Sequence, residues 1–269
     1  MRTLLFLITL LTCTSVAQED FGISQKDVVF LGESHTSEVD HQGQLSMIKI
    51  LVSDSERPVS VMAEMFNETA EAELEQFVAH EKFVDFEPDF WKEQWGHPYE
   101  YYRPILEYVK QQGLNLTHLR PDPARTSSVK KLGAVAAVDL LDEFLLGPSA
   151  YKRHLMDIAM AHMPKGGGGH VVSSDLMNQF FLVQCFWDEY MSWRISEFCE
   201  AHPGTQVVVL VGHGHLHREF GIQSRLLRRS PDLKIATIGF EKRSDWLPDY
   251  FYSSDSSTTI KVCGDPLIR

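Results

Sequence analysis

Val28-Val29-Phe30-Leu31-Gly32-Glu33-Ser34-His35 is an apolar, β-branched run that stops at a glycine and then offers a carboxylate and an imidazole. A continuous apolar run of this length suits a strand covered on both faces, as in the interior of a parallel sheet. Gly32 permits a tight turn at the strand end, and Glu33 and His35 then reach the same space.

The same punctuation returns along the chain. Apolar runs at 59–63, 114–119, 207–211 and 235–238 also read as strands, and polar residues follow most of them: Glu64, then Arg120 and Asp122, then Gly212-His213-Gly214-His215. Between them lie stretches of helical periodicity at 42–52, 68–80, 104–111, 128–144, 175–200 and 216–228. Strands alternating with helices predict an α/β fold, a mainly parallel sheet flanked by helices. Residues from about 124 to 200 are helical in pattern and predict an insertion or lid over the carboxyl ends of the strands. Its clear break is Lys165 with Gly166 to Gly169, which reads as a loop. Ligands of open parallel sheets bind outside the carboxyl ends of the strands, so the polar residues named above are expected to converge on one crevice.

Residues 1–17 read as a cleavable export signal, with Arg2, an apolar run from Leu4 to Leu11 and the small residues of Ser15-Val16-Ala17. A second reading makes Cys13 a lipid-attachment site. Either way the expected location is outside the cytoplasm, periplasmic or lipid-anchored. No stretch reaches the roughly 20 apolar residues of a transmembrane span. The remainder, 18–269, is long enough for one large α/β domain. The chain carries 25 basic and 37 acidic residues, a formal net charge of −12, which argues against nucleic acid or an anionic membrane as partner. Cys185 and Cys199 on one helix would lie about 21 Å apart and cannot bond to each other. Cys199 with Cys263 is the feasible bridge, against three free thiols.

Carboxylate with imidazole is a donor set for zinc, manganese or iron, and equally for general acid and base work. The metal candidates are therefore Glu33, His35, Glu64, His213 and His215. The alternative is structural: Ser34 or Asp40 caps the next helix and the histidines sit satisfied in the rim. His217 completes a His-x-His-x-His run, but the start of a helix at Leu216 would turn it away from His215. The segment from Phe90 to Pro104 is rich in aromatics, and such side chains form the flat walls that a planar ligand needs. Trp91 and Trp95 are expected in the core. Tyr99, Tyr101, Tyr102, His97 and Arg103 are the candidates for contact with a cofactor. Gln184, Asp188 and Met191 share one face of the helix at 175–200, which either borders solvent or lines the crevice. Neither a phosphate loop nor a Gly-x-Ser-x-Gly elbow is present.

Taken in order, residues 28–35, Ala63-Glu64-Met65, Tyr102-Arg103-Pro104-Ile105, His162-Met163-Pro164, Gln184 with Asp188 and Met191, and residues 211–218 resemble the ChaN-like haem-binding family over about residues 27–240. The resemblance implies an exported, often lipid-anchored protein that binds haem and is linked to iron or haem acquisition. A tyrosine would be the axial ligand, with a histidine near a propionate. A homodimer sharing a flat haem is compatible with an exposed tyrosine edge. The resemblance extends to a wider group of erythromycin-esterase-like and Tiki/TraB-like proteins, which implies the alternative of a metal-dependent hydrolase. Its catalytic residues would be Glu33, His35, Glu64 and His215, with His213 the rival of His215 and a divalent metal ion as cofactor. The Gly166 to Gly169 loop and the doubled histidine depart from the family pattern.

Overall fold

The computed structural model describes residues 22–161, 173–241, 246, 248–253 and 259–262. The signal, Cys13, Cys263, His162-Met163-Pro164 and the Gly166 to Gly169 loop lie outside the described residues. Seven strands form one sheet: β1 (Val28–Glu33), β2 (Val59–Asn67), β3 (Asn115–Arg120), β4 (Gln206–Gly212), β5 (Ile235–Gly239), β6 (Tyr250–Ser253) and β7 (Thr259–Val262). The spatial order is β3-β2-β4-β1-β5-β6-β7, and every neighbouring pair is parallel except β6 with β7. The expected α/β architecture is what the chain adopts.

Strand periodicity divides the core. Val29, Leu31, Val61, Ala63, Val208 and Leu210 face one side, whereas Val28, Phe30, Met62, Val207, Val209 and Val211 face the other. Every residue of β1, β2 and β4 is buried, which is why these strands read as unbroken apolar runs rather than as alternation. The first face is covered by α1 (Glu38–Asp54), α2 (Glu71–Ala79), α3 (Pro88–Gln94) and α4 (Tyr99–Gln111). After α5 (Pro123–Leu132), α6 (Ala134–Leu140) and α7 (Ser149–Ala161), the second face is covered by α8 (Ser174–Ala201) and α9 (Ile222–Arg229), through Met191, Ile195, Phe198, Ile222 and Leu226.

This division positions the site. β1 and β4 are adjacent and in register, with Glu33 opposite Gly212, yet β1 leads into α1 on one face and β4 leads towards α9 on the other. Neighbouring strands whose connections part in this way leave a crevice at their carboxyl ends. Helices α7 and α8 lie over that crevice, as expected for the insertion: Leu155, Ile158 and Ala159 of one and Phe180, Gln184 and Trp187 of the other line it.

Several boundaries differ from the expectation. Helix α1 starts four residues before 42, because Ser37, not Ser34 or Asp40, is its cap and accepts from the Asp40 amide at 3.2 Å. Asp40 instead accepts from the Ser34 amide at 2.7 Å and so braces the turn between β1 and α1. Helix α4 starts at Tyr99 and runs through Pro104, which lies on the solvent side, where the carbonyl left without an amide donor meets water. The expected helix at 128–144 is two helices, parted at Gly133, whose φ of 74° suits glycine. The expected helix at 216–228 begins only at Ile222, since residues His213–His215 form a 3-10 turn.

Candidate functional site

Glu33 closes β1 and is 2% exposed, so its charge must be met by protein groups. Its Oε1 accepts from the Tyr102 hydroxyl at 2.7 Å and faces His35 Nδ1 at 2.9 Å. Its Oε2 accepts from Gln44 Nε2 at 2.8 Å and lies 3.4 Å from His41 Nδ1. Burial alone would raise the Glu33 carboxyl. The hydrogen bonds and charges of His35 and His41 outweigh it and hold the group well below the usual carboxylate range. Both histidines shift upward in return, against the pull of their own burial. The second nitrogen of His41 points to the His35 carbonyl at 3.3 Å, so both ring nitrogens have acceptors, as an imidazolium requires.

Glu64, expected just past the strand, lies within β2 between Ala63 and Met65, in the stretch where the register with β3 shifts. Its Oε2 accepts from the Gly212 amide at 2.6 Å, and its Oε1 lies 3.5 Å from His215 Nε2. Burial opposes ionisation here too, but His215 and the Gly212 amide bring the carboxyl down to about 2. On the far side of the ring, His215 Nδ1 bonds Asp188 at 2.6 Å, and Asp188 accepts from the Tyr151 hydroxyl at 2.6 Å. Held between two carboxylates, His215 is pushed up to about 10 although it is buried. A side chain on residue 212 would place its Cβ 2.7 Å from His35 and 3.3 Å from Glu64, so glycine is what lets β4 approach both groups. His213 is turned away from this network and hydrogen-bonds the Glu33 carbonyl at 2.9 Å through Nδ1. Of the two rivals it is therefore His215 that joins Glu64.

These groups line one side of a crevice of about 350 Å³. Trp95, His97, Arg120, Leu155, Ile158, Phe180, Gln184 and Trp187 line the rest of it. The convergence of Glu33, His35, Glu64, Arg120, His213 and His215 is thus observed, whereas Asp122 does not line the crevice and instead caps α5; Gln184 and Asp188 do face inward from α8. Met191 packs in the core beside them. Among the described residues, no group of three His, Cys, Asp or Glu side chains is arranged to hold a metal ion. The expected metal set of Glu33, His35, Glu64, His213 and His215 is engaged otherwise: the carboxylates meet Tyr102, Gln44, the Gly212 amide and the histidines, and His213 Nδ1 meets the Glu33 carbonyl.

The aromatic candidates separate. Tyr102 is fully buried under Glu33, and both burial and that carboxylate raise its hydroxyl far above the ordinary value. The Tyr99 hydroxyl donates to Asp85 at 3.1 Å, and Arg103 is an exposed partner of Asp85 and Glu107. Tyr101 stacks on His41 at 5.5 Å. None of these four lines the crevice; His97 does, with its ring 4.8 Å from that of His35 and 5.1 Å from Trp95. Burial and the neighbouring His35 lower the His97 pKa, which keeps the imidazole neutral. Trp95, expected only in the core, is buried and also forms crevice wall. The sequence reading missed His41, Gln44 and Tyr151; the i, i+3 spacing of His41 and Gln44 on α1 was the available signal.

A family model described as haem-binding uptake, Tiki superfamily, ChaN, matches residues 22–226. The chain belongs to this family. Among solved structures it is similar to that described as cofacial haem binding to ChaN of Campylobacter jejuni, at 16% identity and a TM-score of 0.62, covering 90% of this chain and 89% of that one. An erythromycin esterase mutant in its open conformation is similar at 13% identity and a TM-score of 0.49, covering 89% of this chain and 76% of the other. No curated protein sequence matches. The ChaN likeness bears out the fold.

Proposed function

We propose that this protein binds haem in the crevice at the carboxyl ends of β1, β2 and β4, and serves haem or iron acquisition outside the cytoplasm. Membership of the haem-binding uptake family carries the reading. The site's chemistry fits the group: indole and aliphatic walls from Trp95, Trp187, Leu155 and Ile158, a neutral imidazole at His97, and cations from Arg120 and the histidines. At about 350 Å³ the crevice is small for a ligand site, so a porphyrin enters by one edge and leaves the other exposed. An exposed edge is what a second copy would cover, and a haem-linked homodimer follows as part of the proposal. The likeness to a protein described by cofacial haem binding agrees with it.

When bound, haem would supply an iron centre that takes a donor from the protein. On this reading His97 would be that donor, because its imidazole lines the crevice and is accessible. Tyr102 is sealed beneath Glu33 and held protonated, and Tyr99 and Arg103 are engaged with Asp85. Titration with haemin should give a shifted Soret band in the wild type and an altered band with weaker binding in His97→Ala. The absence of any Soret change in the wild type would sink the proposal. Binding is favoured over metal-dependent hydrolysis because the Glu/His donors are committed to one another.

A further inference from the structure

Arg120 ends β3 and is held in an unusual manner. Its guanidinium carbon lies 4.9 Å from the Trp95 ring centre and 5.5 Å from that of Trp187, so the planar group sits between two indoles. All its hydrogen bonds go to backbone carbonyls: Nε to Glu64, and Nη2 to Met65 at 3.2 Å and to Gln94. No described carboxylate pairs with it; the Glu64 carboxylate is turned instead to the Gly212 amide and His215. Nη1 has no partner among the described residues, is not sealed from solvent, and belongs to a side chain that lines the crevice. Carbonyls orient a guanidinium without neutralising it, and the indole faces favour the cation.

The other crevice cations are different. His35 is matched by Glu33, and His215 lies between Glu64 and Asp188. Elsewhere, Arg225, Arg228 and Arg229 all bond the Glu189 carboxylate. We infer that Arg120 is the anchor for a carboxylate on the crevice ligand. Guanidinium and carboxylate form charge-assisted bonds of the strong kind, and a half-buried, pre-oriented arginine that feels the Glu64 charge but has no described carboxylate at bonding distance is set to make them with a ligand. Resting on the haem reading, the carboxylate is a propionate, met at the open Nη1 edge of the guanidinium where Arg120 lines the crevice.

Binding of haemin, haemin dimethyl ester and metal-free protoporphyrin to the full chain and to Arg120→Gln tests this. Visible spectra report haemin and its ester, and tryptophan quenching reports protoporphyrin. The wild type should prefer haemin over the ester, and Arg120→Gln should weaken haemin about tenfold while leaving the ester nearly unchanged. Unchanged ester binding also shows that the variant is folded, and Arg120→Lys should recover part of the preference. A wild-type preference for haemin retained in Arg120→Gln would overturn the assignment and leave the haem reading intact. Conversely, Arg120-dependent binding of protoporphyrin without any haemin Soret shift would support the anchor and remove the iron. If neither porphyrin binds the wild type, both readings fall.

Discussion

At the scale of single residues, the chemistry of the site comes down to who neutralises Glu33. Four side chains do so, and Tyr102 does it without a charge, through one 2.7 Å bond in a fully buried setting. Removing that hydroxyl leaves a buried carboxylate short of a donor. Tyr102→Phe is therefore expected to lower the free energy of unfolding by about 1.5–3 kcal/mol, the usual loss for a hydrogen bond to a charged group. Urea denaturation measures the loss, and haemin binding should persist because Tyr102 does not line the crevice. A stability equal to the wild type would show that water or a shifted histidine replaces the bond. Glu33, His35, Glu64 and His215 were legible because each ends a run of apolar residues, where a polar side chain stands out. His41, Gln44 and Tyr151 were obscured for the opposite reason. They sit within amphipathic helices, where a polar group can face solvent or core with the same spacing.

At the scale of elements, the turn from β4 to α9 carries His213 and His215 and is packed tightly at its end. A Cβ on Gly221 would lie 2.3 Å from the His215 carbonyl and 2.6 Å from the His217 amide, both backbone atoms that cannot swing aside. A Cβ on Gly214 would meet only Ile158, at an ordinary 3.4 Å. Gly221→Ala should therefore cost about 1–3 kcal/mol through overpacking and disturb the His215 position, whereas Gly214→Ala should be close to neutral. Thermal melts of the two variants make the comparison, and equal behaviour would mean that the turn relaxes freely. Element by element, β1, β2 and β4 were legible because burial on both faces writes a nearly continuous apolar signal. The β6 and β7 pair was not. It is a short edge addition fixed by a distant side chain: Asp249 accepts from the Thr237 amide at 2.9 Å and hydroxyl at 3.0 Å, tying β6 to β5 across 12 positions. Such a tie leaves no local pattern. Helix α3 was not read as a helix, and α7 was read only within the helical pattern from about 124 to 200, since periodicity identifies a face more readily than an end.

At the scale of the whole molecule, the buried charges link folding to pH on both sides. Glu64 falls from an ordinary 4.5 to about 2 on folding, so its contribution is present above 4.5 and is lost as pH drops towards 2. Glu33 acts in the same direction. His215 rises from 6.5 to about 10, so its contribution is complete below 6.5 and is lost as pH climbs through 10. His35 and His41 add to that alkaline loss, and the formal net charge of −12 adds self-repulsion in the same range. Maximum stability is thus expected between pH 4.5 and 6.5, with a decline towards pH 10 whose slope approaches about 1.4 kcal/mol per pH unit for each histidine proton being lost. Urea midpoints across this range test the expectation at two salt concentrations. Self-repulsion is screened by salt, whereas the His215 contribution, enclosed between Glu64 and Asp188, is screened much less. A decline that salt abolishes would assign the effect to surface charge. One that survives salt and shrinks in His215→Gln would place it in the crevice, and stability flat from pH 6.5 to 10 would mean that His215 is neutral in the folded chain.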